Sequence, residues 1–334
     1  MQSLSVVLLN YNGKTYLEKF LPSVVKYSAT NEVVVVDNGS TDDSVDFLKA
    51  NFPKIKLIEF DENHGFCGGY NKAIPLVDAE FVVLLNTDVE VTPNWIKPIY
   101  TFLKGNPDYK AAQPKILDQK QKQKFEYAGA AGGFIDHLGY PFCRGRIFQR
   151  IEDDLGQYDK ERDIFWASGS CLFIEKATYI NLGGLDEEFF AHMEEIDLCW
   201  RVWNSGKKVA SIPSSHVFHV GGGTLDKSNP RKTYLNFRNG LSLLIKNEPK
   251  ASLIWKIPIR IVLDWVAVFK FSLESDPKHG LAILRAHWYN TINFRSVWKR
   301  RIKVNAVSLP RYYRSIAWEY FVRRKKTFDQ LRPD

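Results

Sequence analysis

Short apolar segments alternate with amphipathic segments along residues 4–85, and this alternation constrains the fold more than any other feature. Residues 4–9 and 32–37 are rich in valine and leucine, which predicts strands buried on both faces of a sheet. Residues 15–27 between them place apolar side chains at helical spacing. Repeated strand–helix–strand units predict an α/β fold with right-handed crossovers. The pattern continues with a helix at 41–51, a strand at 55–59, a helix at 69–77 and a strand at 80–85.

The charge of the chain is distributed unevenly. The formal net charge is +8, yet residues 245–334 contain 19 Lys or Arg against 7 Asp or Glu, and residues 1–244 contain 27 against 31. A strongly basic end indicates an anionic partner, either a membrane surface or a nucleic acid. The four cysteines have neither zinc-ligand nor disulfide spacing, and the amino terminus lacks the features of a secretory signal. We therefore expect a cytoplasmic protein.

Four polar segments follow predicted strands or precede predicted helices, at the edge of the sheet where an α/β fold binds its ligands. Asp37 could bind a ribose hydroxyl or a base edge, while its neighbours could cap a helix. The glycines at 65–69 would let backbone N–H groups approach a ligand. Asp88 suits a divalent cation that bridges a diphosphate. Each segment alone is also compatible with an ordinary turn; the four segments are 10–13, 37–42, 63–71 and 86–90.

An acidic cluster opens a predicted helix at 194–205. Glu194, Glu195 and Asp197 fall in its first turn, where acids are favourable even without a function. Asp197 can pair with Arg201 one turn later, which favours a structural role for Asp197.

Two histidines and two loop-like segments lie outside the motifs above. His216 and His219 precede a run of glycines at 221–223, and one neutral imidazole could complete the coordination of a metal ion, although either histidine alone is more often a core residue. Residues 119–124 are polar and predict an exposed turn. Residues 129–146 are rich in glycine and aromatic residues, and we expect a loop that is ordered by packing rather than by strand pairing.

Taken together, these segments resemble the family-2 glycosyltransferases with the GT-A fold, in particular a bacterial branch described as rhamnosyltransferase-like. The resemblance covers residues 3–245. It implies an α/β, Rossmann-like nucleotide-diphospho-sugar transferase fold, in which helices flank a mixed sheet, followed by a basic helical appendage. It rests on seven motifs in the family order: SVVLLNYNG, VVVVDNGSTDDS, ENHGFCGGYNKA, FVVLLNTDVEV, WASGSCLFI, GGLDEEFFAHMEEIDLCWR and VFHVGGGT.

The resemblance also implies an activity and a role for each matching residue. The enzyme would move a sugar, with inversion, from a UDP- or dTDP-linked donor to a hydroxyl of a glycan or lipid-linked saccharide, in cell-surface polysaccharide or O-antigen assembly. Glu195 would be the catalytic base, and Asp88 and His219 would bind Mn²⁺ or Mg²⁺. Contacts with the donor nucleotide are implied for Tyr11, Asn12, Asp37, Gly68, Gly69, Asn71, Asn86 and Thr87, and contacts with the acceptor for Trp166, Gly169 and Ser170.

Two positions depart from the family pattern. The metal motif often written DxD has Asn86 at its first position, so that position offers an amide instead of a carboxylate. Glu195 stands where many relatives carry Asp, and therefore reaches one methylene further. Direct displacement needs no protein nucleophile, and no Gly-x-Ser-x-Gly segment is present, so none is assigned to Ser170 or Cys171. Asn86 leaves open the alternative of a catalytically inactive nucleotide-sugar-binding protein.

The character of the sequence changes near Pro249, where we predict a domain boundary. Residues 1–248 would form the transferase domain, with a nucleotide-sugar-binding half at 1–115 and an acceptor-binding, catalytic half at 116–248. Residues 249–334 would form a basic, amphipathic, helical region.

Residues 254–273 predict an amphipathic helix that is too rich in charge to span a bilayer. This pattern is typical of a helix in the membrane interface, and equally of a helix packed on its own domain with solvated charges. Basic clusters at 299–303 and 323–326 favour an anionic lipid surface, and hence a peripheral location on the inner face of the cell membrane. Binding of nucleic acid is the weaker alternative. The charged arc holds Lys256, Arg260, Asp264 and Lys270, opposite Trp255, Ile261, Trp265 and Phe269.

Overall fold

A computed structural model of the protein describes residues 2–28, 30–221, 229–274, 276–302 and 309–331. Gly222, Gly223 and Thr224 of the last family-like motif lie outside the described residues, as does Lys303 of the first basic cluster.

A mixed sheet forms the centre of the fold. The strands are β1 (Gln2–Asn10), β2 (Glu32–Asn38), β3 (Lys56–Phe60), β4 (Ala79–Asn86), β5 (Val89–Val91), β6 (Tyr109–Asp118), β7 (Gly133–Ile135), β8 (Pro141–Cys143), β9 (Arg146–Ile147), β10 (Arg150–Ile151), β11 (Arg162–Asp163), β12 (Cys171–Glu175) and β13 (Lys208–His219). The central sheet has the order β11-β13-β6-β12-β4-β1-β2-β3, with β5 paired to β13. Strands β4, β1, β2 and β3 are mutually parallel, whereas β12 runs antiparallel to both of its neighbours.

Helices cover both faces of this sheet and continue to the carboxyl end of the described chain. They are α1 (Lys14–Tyr27), α2 (Ser44–Asn51), α3 (Gly65–Ala73), α4 (Lys97–Gly105), α5 (Lys176–Asn181), α6 (Glu194–Asn204), α7 (Pro230–Asn247), α8 (Lys250–Glu274), α9 (Pro277–Ile292), α10 (Phe294–Lys299) and α11 (Phe328–Leu331). Short 3₁₀ turns lie at Ile74–Leu76 and Glu187–Phe189, and a π turn at Trp318–Val322.

The predicted α/β alternation is confirmed. Every strand and helix expected within residues 4–85 forms, with ends shifted by a few residues, and the predicted helix at 194–205 is α6. The interior of β1, β2 and β4 is buried on both sides because helices pack on both faces, as the continuous apolar runs indicated. The polar segment at 119–124 forms an exposed turn, as expected.

The prediction for residues 129–146 is wrong in one respect. Strands β7 to β10 pair in an antiparallel sheet of four short strands, so this segment is ordered by strand pairing as well as by packing. Arg144 and Arg146 of this segment are buried, and their guanidinium groups donate to the carbonyl oxygens of Lys160 and Tyr127. These two arginines therefore stabilise the small sheet.

The carboxyl-terminal region packs on the same core as the sheet. Leu253, Tyr312 and Phe328 belong to one continuous apolar cluster with residues of α6 and the small sheet, and the rings of Phe328 and Phe134 lie 4.8 Å apart. Pro249 separates α7 from α8. The boundary at 248/249 stays a prediction.

Helix α8 forms as predicted, but its orientation is opposite to the one expected for a helix with solvated charges. Lys256, Arg260 and Asp264 are buried against the protein, whereas the apolar side of α8 is exposed. The physical reason is that each of these buried charges has a polar partner inside the protein. Lys256 pairs with Glu248, and Arg260 pairs with Asp264 at 3.1 Å.

Candidate active site

Adjacent parallel strands end at the same edge of the sheet and bring the predicted nucleotide-binding segments together there. Strands β4, β1 and β2 are adjacent and parallel, so the segments that follow them emerge together. The side chain of Asn12 accepts hydrogen bonds from the backbone N–H groups of Thr41 (2.7 Å) and Asp42 (3.2 Å), which ties the first segment to the second. Tyr11 is about half exposed at this edge. The sheet therefore gathers four separate motifs into one surface.

Asp37 fixes the geometry of this edge. Its two carboxylate oxygens accept hydrogen bonds from the Asn10 side chain and from the Ser40 backbone N–H, each at 2.9 Å, and the residue is almost completely buried. Ser40 in turn accepts a hydrogen bond from the backbone N–H of Asn12. A buried carboxylate with two such donors holds both loops in place, and its contact with a base or ribose stays a prediction.

Helix α3 contributes Gly68, Gly69 and Asn71, and the structure shows what each does within the protein. A Cβ atom on Gly69 would lie 2.7 Å from Leu9 Cδ1, so glycine allows α3 to pack closely on β1. A Cβ on Gly68 would lie 3.2 Å from His64 Cβ. The Asn71 side chain bonds to both backbone groups of Leu185, which joins α3 to the second half of the chain.

Asp88 and His219 form the polar centre of the site. Asp88 follows β4 and His219 ends β13, and Asp88 Oδ1 lies 3.1 Å from His219 Nε2. The other ring nitrogen, Nδ1, lies 3.5 Å from Glu126 Oε1. Burial lowers the pKa of His219, but Glu126 and Asp88 outweigh this effect and raise it to about 10. His216 lies on the same strand and pairs with Lys115 in the sheet register, away from this cluster.

Glu126 is a site residue that the sequence did not reveal. Parallel pairing of β13 with β6 sets His219 opposite Asp118, and the chain then turns back so that the Glu126 backbone N–H donates to Ile116 O. Glu126 reaches His219 only through this reversal. No spacing in the sequence links these two residues; the polar turn at 119–124 is the one signal that the chain reverses there.

Glu195 lies in the first turn of α6, beside the start of β12. A Cβ on Gly169 would contact Glu195 Cβ at 3.6 Å and Phe66 Cζ at 3.8 Å, so these three residues adjoin. The backbone N–H of Asn86 donates to Ser170 O at 3.0 Å. Gly169 and Ser170 thus connect Glu195 to Asn86 of the metal motif.

Burial perturbs the acid pair at the start of α6. Among the described residues, neither Glu194 Oε2 nor Glu195 Oε2 has a hydrogen-bond partner, and both atoms are shielded from solvent. Burial raises the pKa of Glu195 to about 7, against backbone hydrogen bonds that lower it. Burial and the charge of Glu195 raise the pKa of Glu194 well above its usual range. Glu195 is therefore poised to exchange a proton near neutral pH.

The segment before Glu194 is strained and pinned by α7. Phe190, His192 and Met193 have φ angles of 63°, 68° and 75°, a region that costs non-glycine residues about 1–3 kcal/mol each. The Asn239 side-chain amide lies 3.0, 2.9 and 2.7 Å from the carbonyl oxygens of Phe189, Ala191 and His192. This clamp fixes the approach to Glu195, and sequence reasoning missed it.

The remaining assignments divide between surface and core. Asp197 pairs with Arg201 at 2.8 Å and with Lys246 at 2.8 Å, as its predicted structural role requires. Trp166 is buried in the core, where its indole N–H donates to Phe134 O. Its contact with an acceptor stays a prediction. Burial raises the pKa of Cys171 well above its usual range, which agrees with the absence of a thiolate nucleophile there. The Ser170 hydroxyl contacts that of Ser168 at 3.0 Å.

The sheet and its flanking helices have the GT-A fold of glycosyltransferases, and comparisons with known proteins agree. Residues 5–159 match the family described as Glycosyl transferase family 2. The chain therefore carries a family-2 glycosyltransferase domain and is a glycosyltransferase.

Two relatives of known activity are similar over most of the chain. The N-acetylglucosaminyl-diphospho-decaprenol L-rhamnosyltransferase of Mycobacterium tuberculosis is 28% identical over 241 residues, which cover 65% of this chain and 75% of that protein. The low-salt glycan biosynthesis hexosyltransferase Agl10 of Haloferax volcanii is 26% identical over 247 residues, covering 72% and 74% of the two chains.

Two solved structures share the fold. GalNAc-T7 with UDP, GalNAc and Mn²⁺ superposes with a TM-score of 0.55 at 17% identity, over 73% of this chain and 48% of the other, so this chain spans about half of that protein. The mannosyltransferase PcManGT of Pyrobaculum calidifontis, in complex with GDP-Man and Mn²⁺, gives a TM-score of 0.50 at 14% identity, over 89% and 83% of the chains.

Proposed function

We propose that the protein is an inverting, metal-assisted transferase that moves a sugar from a UDP- or dTDP-linked donor to a hydroxyl of a lipid-linked saccharide, at the cytoplasmic face of a membrane. The observation that carries the proposal is the series of neighbouring residues from Asp88 and His219, through Asn86, Ser170 and Gly169, to Glu195. An acid that suits a metal ion and a nearby base of raised pKa suit attack on an anomeric carbon.

The residues at Asp88 fit a divalent cation. A carboxylate oxygen and an imidazole nitrogen adjoin, and the second imidazole nitrogen faces Glu126, as is usual for a histidine that binds metal. When the cation binds, His219 Nε2 would lose the proton that it shares with Asp88 when no metal is bound. Within the described ranges, no group of three or more His, Cys, Asp or Glu could hold a metal ion. Asp88 and His219 would therefore share the ion with diphosphate oxygens, as Mg²⁺ commonly requires. The bound ion would stabilise the charge of the leaving diphosphate.

Glu195 would remove the proton of the acceptor hydroxyl, and the resulting oxygen would attack the anomeric carbon from the side opposite the diphosphate. The bond between that carbon and the diphosphate oxygen would break, and the nucleoside diphosphate would leave. Phe66 and Gly169 would line the approach to Glu195, since both adjoin it. The lipid-linked acceptor is inferred from the name of the mycobacterial relative, whose acceptor is a diphospho-decaprenol saccharide.

Calorimetric titration of UDP and of dTDP, each with and without Mn²⁺, tests the donor site. We expect Mn²⁺-dependent binding of one nucleotide, and its loss in Asp88→Ala. Asp108→Ala is the matched control, because Asp108 is an exposed acid that precedes β6 at the opposite edge of the sheet. If neither nucleotide bound with Mn²⁺ present, the proposal would fail.

Glu195→Gln then separates catalysis from binding. We expect it to retain nucleotide affinity and to lose sugar transfer, with inverted anomeric configuration in the wild-type product by NMR. Retained configuration, or full transfer by Glu195→Gln, would contradict the proposed mechanism.

A further inference from the structure

The exposed apolar side of α8 is continuous over the length of the helix. Ile259, Val262, Val266, Phe269 and Leu273 follow one another at intervals of three or four residues, and Leu273 is 85% exposed. At 1.5 Å per residue this stripe extends over roughly 20 Å. An apolar helix face of this length in contact with water indicates an interaction site.

Helix α9 adds a second stripe on the same side. Gly280 lies against Ser272, and His287 bonds to Asp264 at 3.0 Å, so α8 and α9 run antiparallel. On each helix, exposed apolar residues lie one position after the residues that contact the other helix. Because the two helices are antiparallel, this offset turns both stripes toward the same side of the pair. The stripe on α9 consists of Leu281, Leu284, Trp288 and Ile292, of which Trp288 is 67% exposed.

A buried polar network prevents α8 from turning this face inward. Asp264 accepts a hydrogen bond from the Tyr140 hydroxyl at 2.6 Å and contacts His287 on α9. Arg260 donates to Leu138 O, and its guanidinium group stacks 3.6 Å from the centroid of the Tyr140 ring. Rotation of α8 would expose the apolar core and separate these charges, and loss of a single buried partner typically costs several kcal/mol. The apolar face is therefore held outward.

The surroundings of this face identify its partner. Helices α9 and α10 contain no Asp or Glu, and four of their cations, Lys278, Arg285, Arg295 and Lys299, are exposed. Arg285 lies between the apolar positions of α9, and the half-exposed ring of Phe321 lies 5.1 Å from Lys270 Nζ of α8. Tryptophan beside basic residues is typical of surfaces that enter the headgroup region of an anionic bilayer.

We propose that α8 and α9 together form a lipid-binding face that inserts its apolar side chains into the anionic leaflet of a bilayer, while the arginines and lysines around it bind the headgroups. This deepens the proposed function, on which it rests for the location of the acceptor. Within the described residues, no helix is long and apolar enough to cross a bilayer, so the face would lie in the interface.

Co-sedimentation with vesicles tests this proposal, because it needs neither donor nor acceptor and can fail independently of the proposed function. We use the full chain with vesicles of phosphatidylglycerol and phosphatidylcholine, and with phosphatidylcholine alone. We expect preferential binding to the anionic vesicles, and a loss of at least about tenfold in the double variant W265E/W288E. Trp265 is the half-exposed tryptophan next to Val266 in the stripe of α8, and Trp288 belongs to the stripe of α9. Leu155→Glu is the control, since Leu155 is more exposed (85%) than Trp265 (49%) and Trp288 (67%) but lies outside the two helices.

Circular dichroism and nucleotide binding establish that W265E/W288E is folded, as we expect for two exposed positions. Three results would overturn the proposal. The first is absence of binding to either vesicle. The second is anionic binding that the double variant retains, which would leave only adsorption of the basic residues. The third is a wild-type dimer that the double variant converts to a monomer, which would make the face an interface between two copies.

Discussion

Replacement of Glu195 by glutamine tests the central electrostatic argument of the site. The ionised carboxylate is disfavoured in the folded protein because its surroundings shield it from water. A pKa of about 7 means that the carboxyl is ionised above that pH and protonated below it. A base must be ionised to accept a proton, so turnover of the wild-type enzyme should fall as the pH falls through about 7.

Two magnitudes follow from this pKa. Turnover should decrease about tenfold for each pH unit below 7, because the ionised fraction decreases by that factor. Folding should also depend on Glu195. A carboxyl whose pKa rises from 4.5 to about 7 on folding destabilises the folded state above pH 7, by about 3 kcal/mol for such a rise. The penalty is absent below pH 4.5 and grows as the pH rises through this window.

The assay combines turnover between pH 5 and 9 with urea unfolding at pH 4.5 and pH 8, for wild type and Glu195→Gln. We expect the variant to be inactive, yet to gain stability relative to wild type as the pH rises. Glu194→Gln is the neighbouring control, since the raised pKa of Glu194 favours its neutral form and glutamine imitates that form. A wild-type turnover that is constant from pH 5 to 8, or a stability difference independent of pH, would refute the assignment of Glu195 as a buried base.

Three further predictions concern the surroundings of the site. Asp197→Ala should lower the free energy of unfolding by about 3–5 kcal/mol in urea titrations, because Arg201 and Lys246 would lose a buried partner; an effect below about 1 kcal/mol would contradict this. Gly133→Ala should destabilise strongly in the same assay, since its Cβ would lie 2.1 Å from the Trp166 ring, whereas Gly105→Ala, with open space around its Cβ, should be nearly neutral. Asn239→Ala should reduce turnover by about tenfold to a hundredfold with little change in nucleotide affinity, because the strained segment before Glu195 loses its clamp; parallel losses in both would indicate general unfolding instead.

The α/β half of the fold could be predicted from the sequence because its signals are local. Buried parallel strands read as continuous apolar runs, as in β1 and β4, and the polar residues that follow them must meet at one sheet edge. Asp88 and Asn12 could therefore be placed together from the sequence alone. The small sheet of β7 to β10 was not predicted, since its strands contain only two or three residues each and leave no periodic pattern.

The contacts that complete the site are not local, and the sequence does not show them. Glu126 reaches His219 because of a chain reversal and a parallel strand pair, and Asn239 reaches the segment before Glu195 from a helix some fifty residues away. Such contacts depend on the tertiary arrangement of elements, each of which has an ordinary local sequence. The seven motifs indicate a glycosyltransferase, but not Glu126, which raises the pKa of His219.

Helix α8 shows why periodicity alone does not decide which face of a helix is buried. Its sequence defines a charged arc and an apolar arc, and the usual expectation places the apolar arc inside. Burial of Arg260 and Asp264 is favourable here because Leu138, Tyr140 and His287 supply hydrogen bonds from two other segments. Burying the charges leaves the apolar arc outside, where it costs free energy in water. A bilayer that covers the face would recover this cost, and the vesicle experiment measures whether such binding occurs.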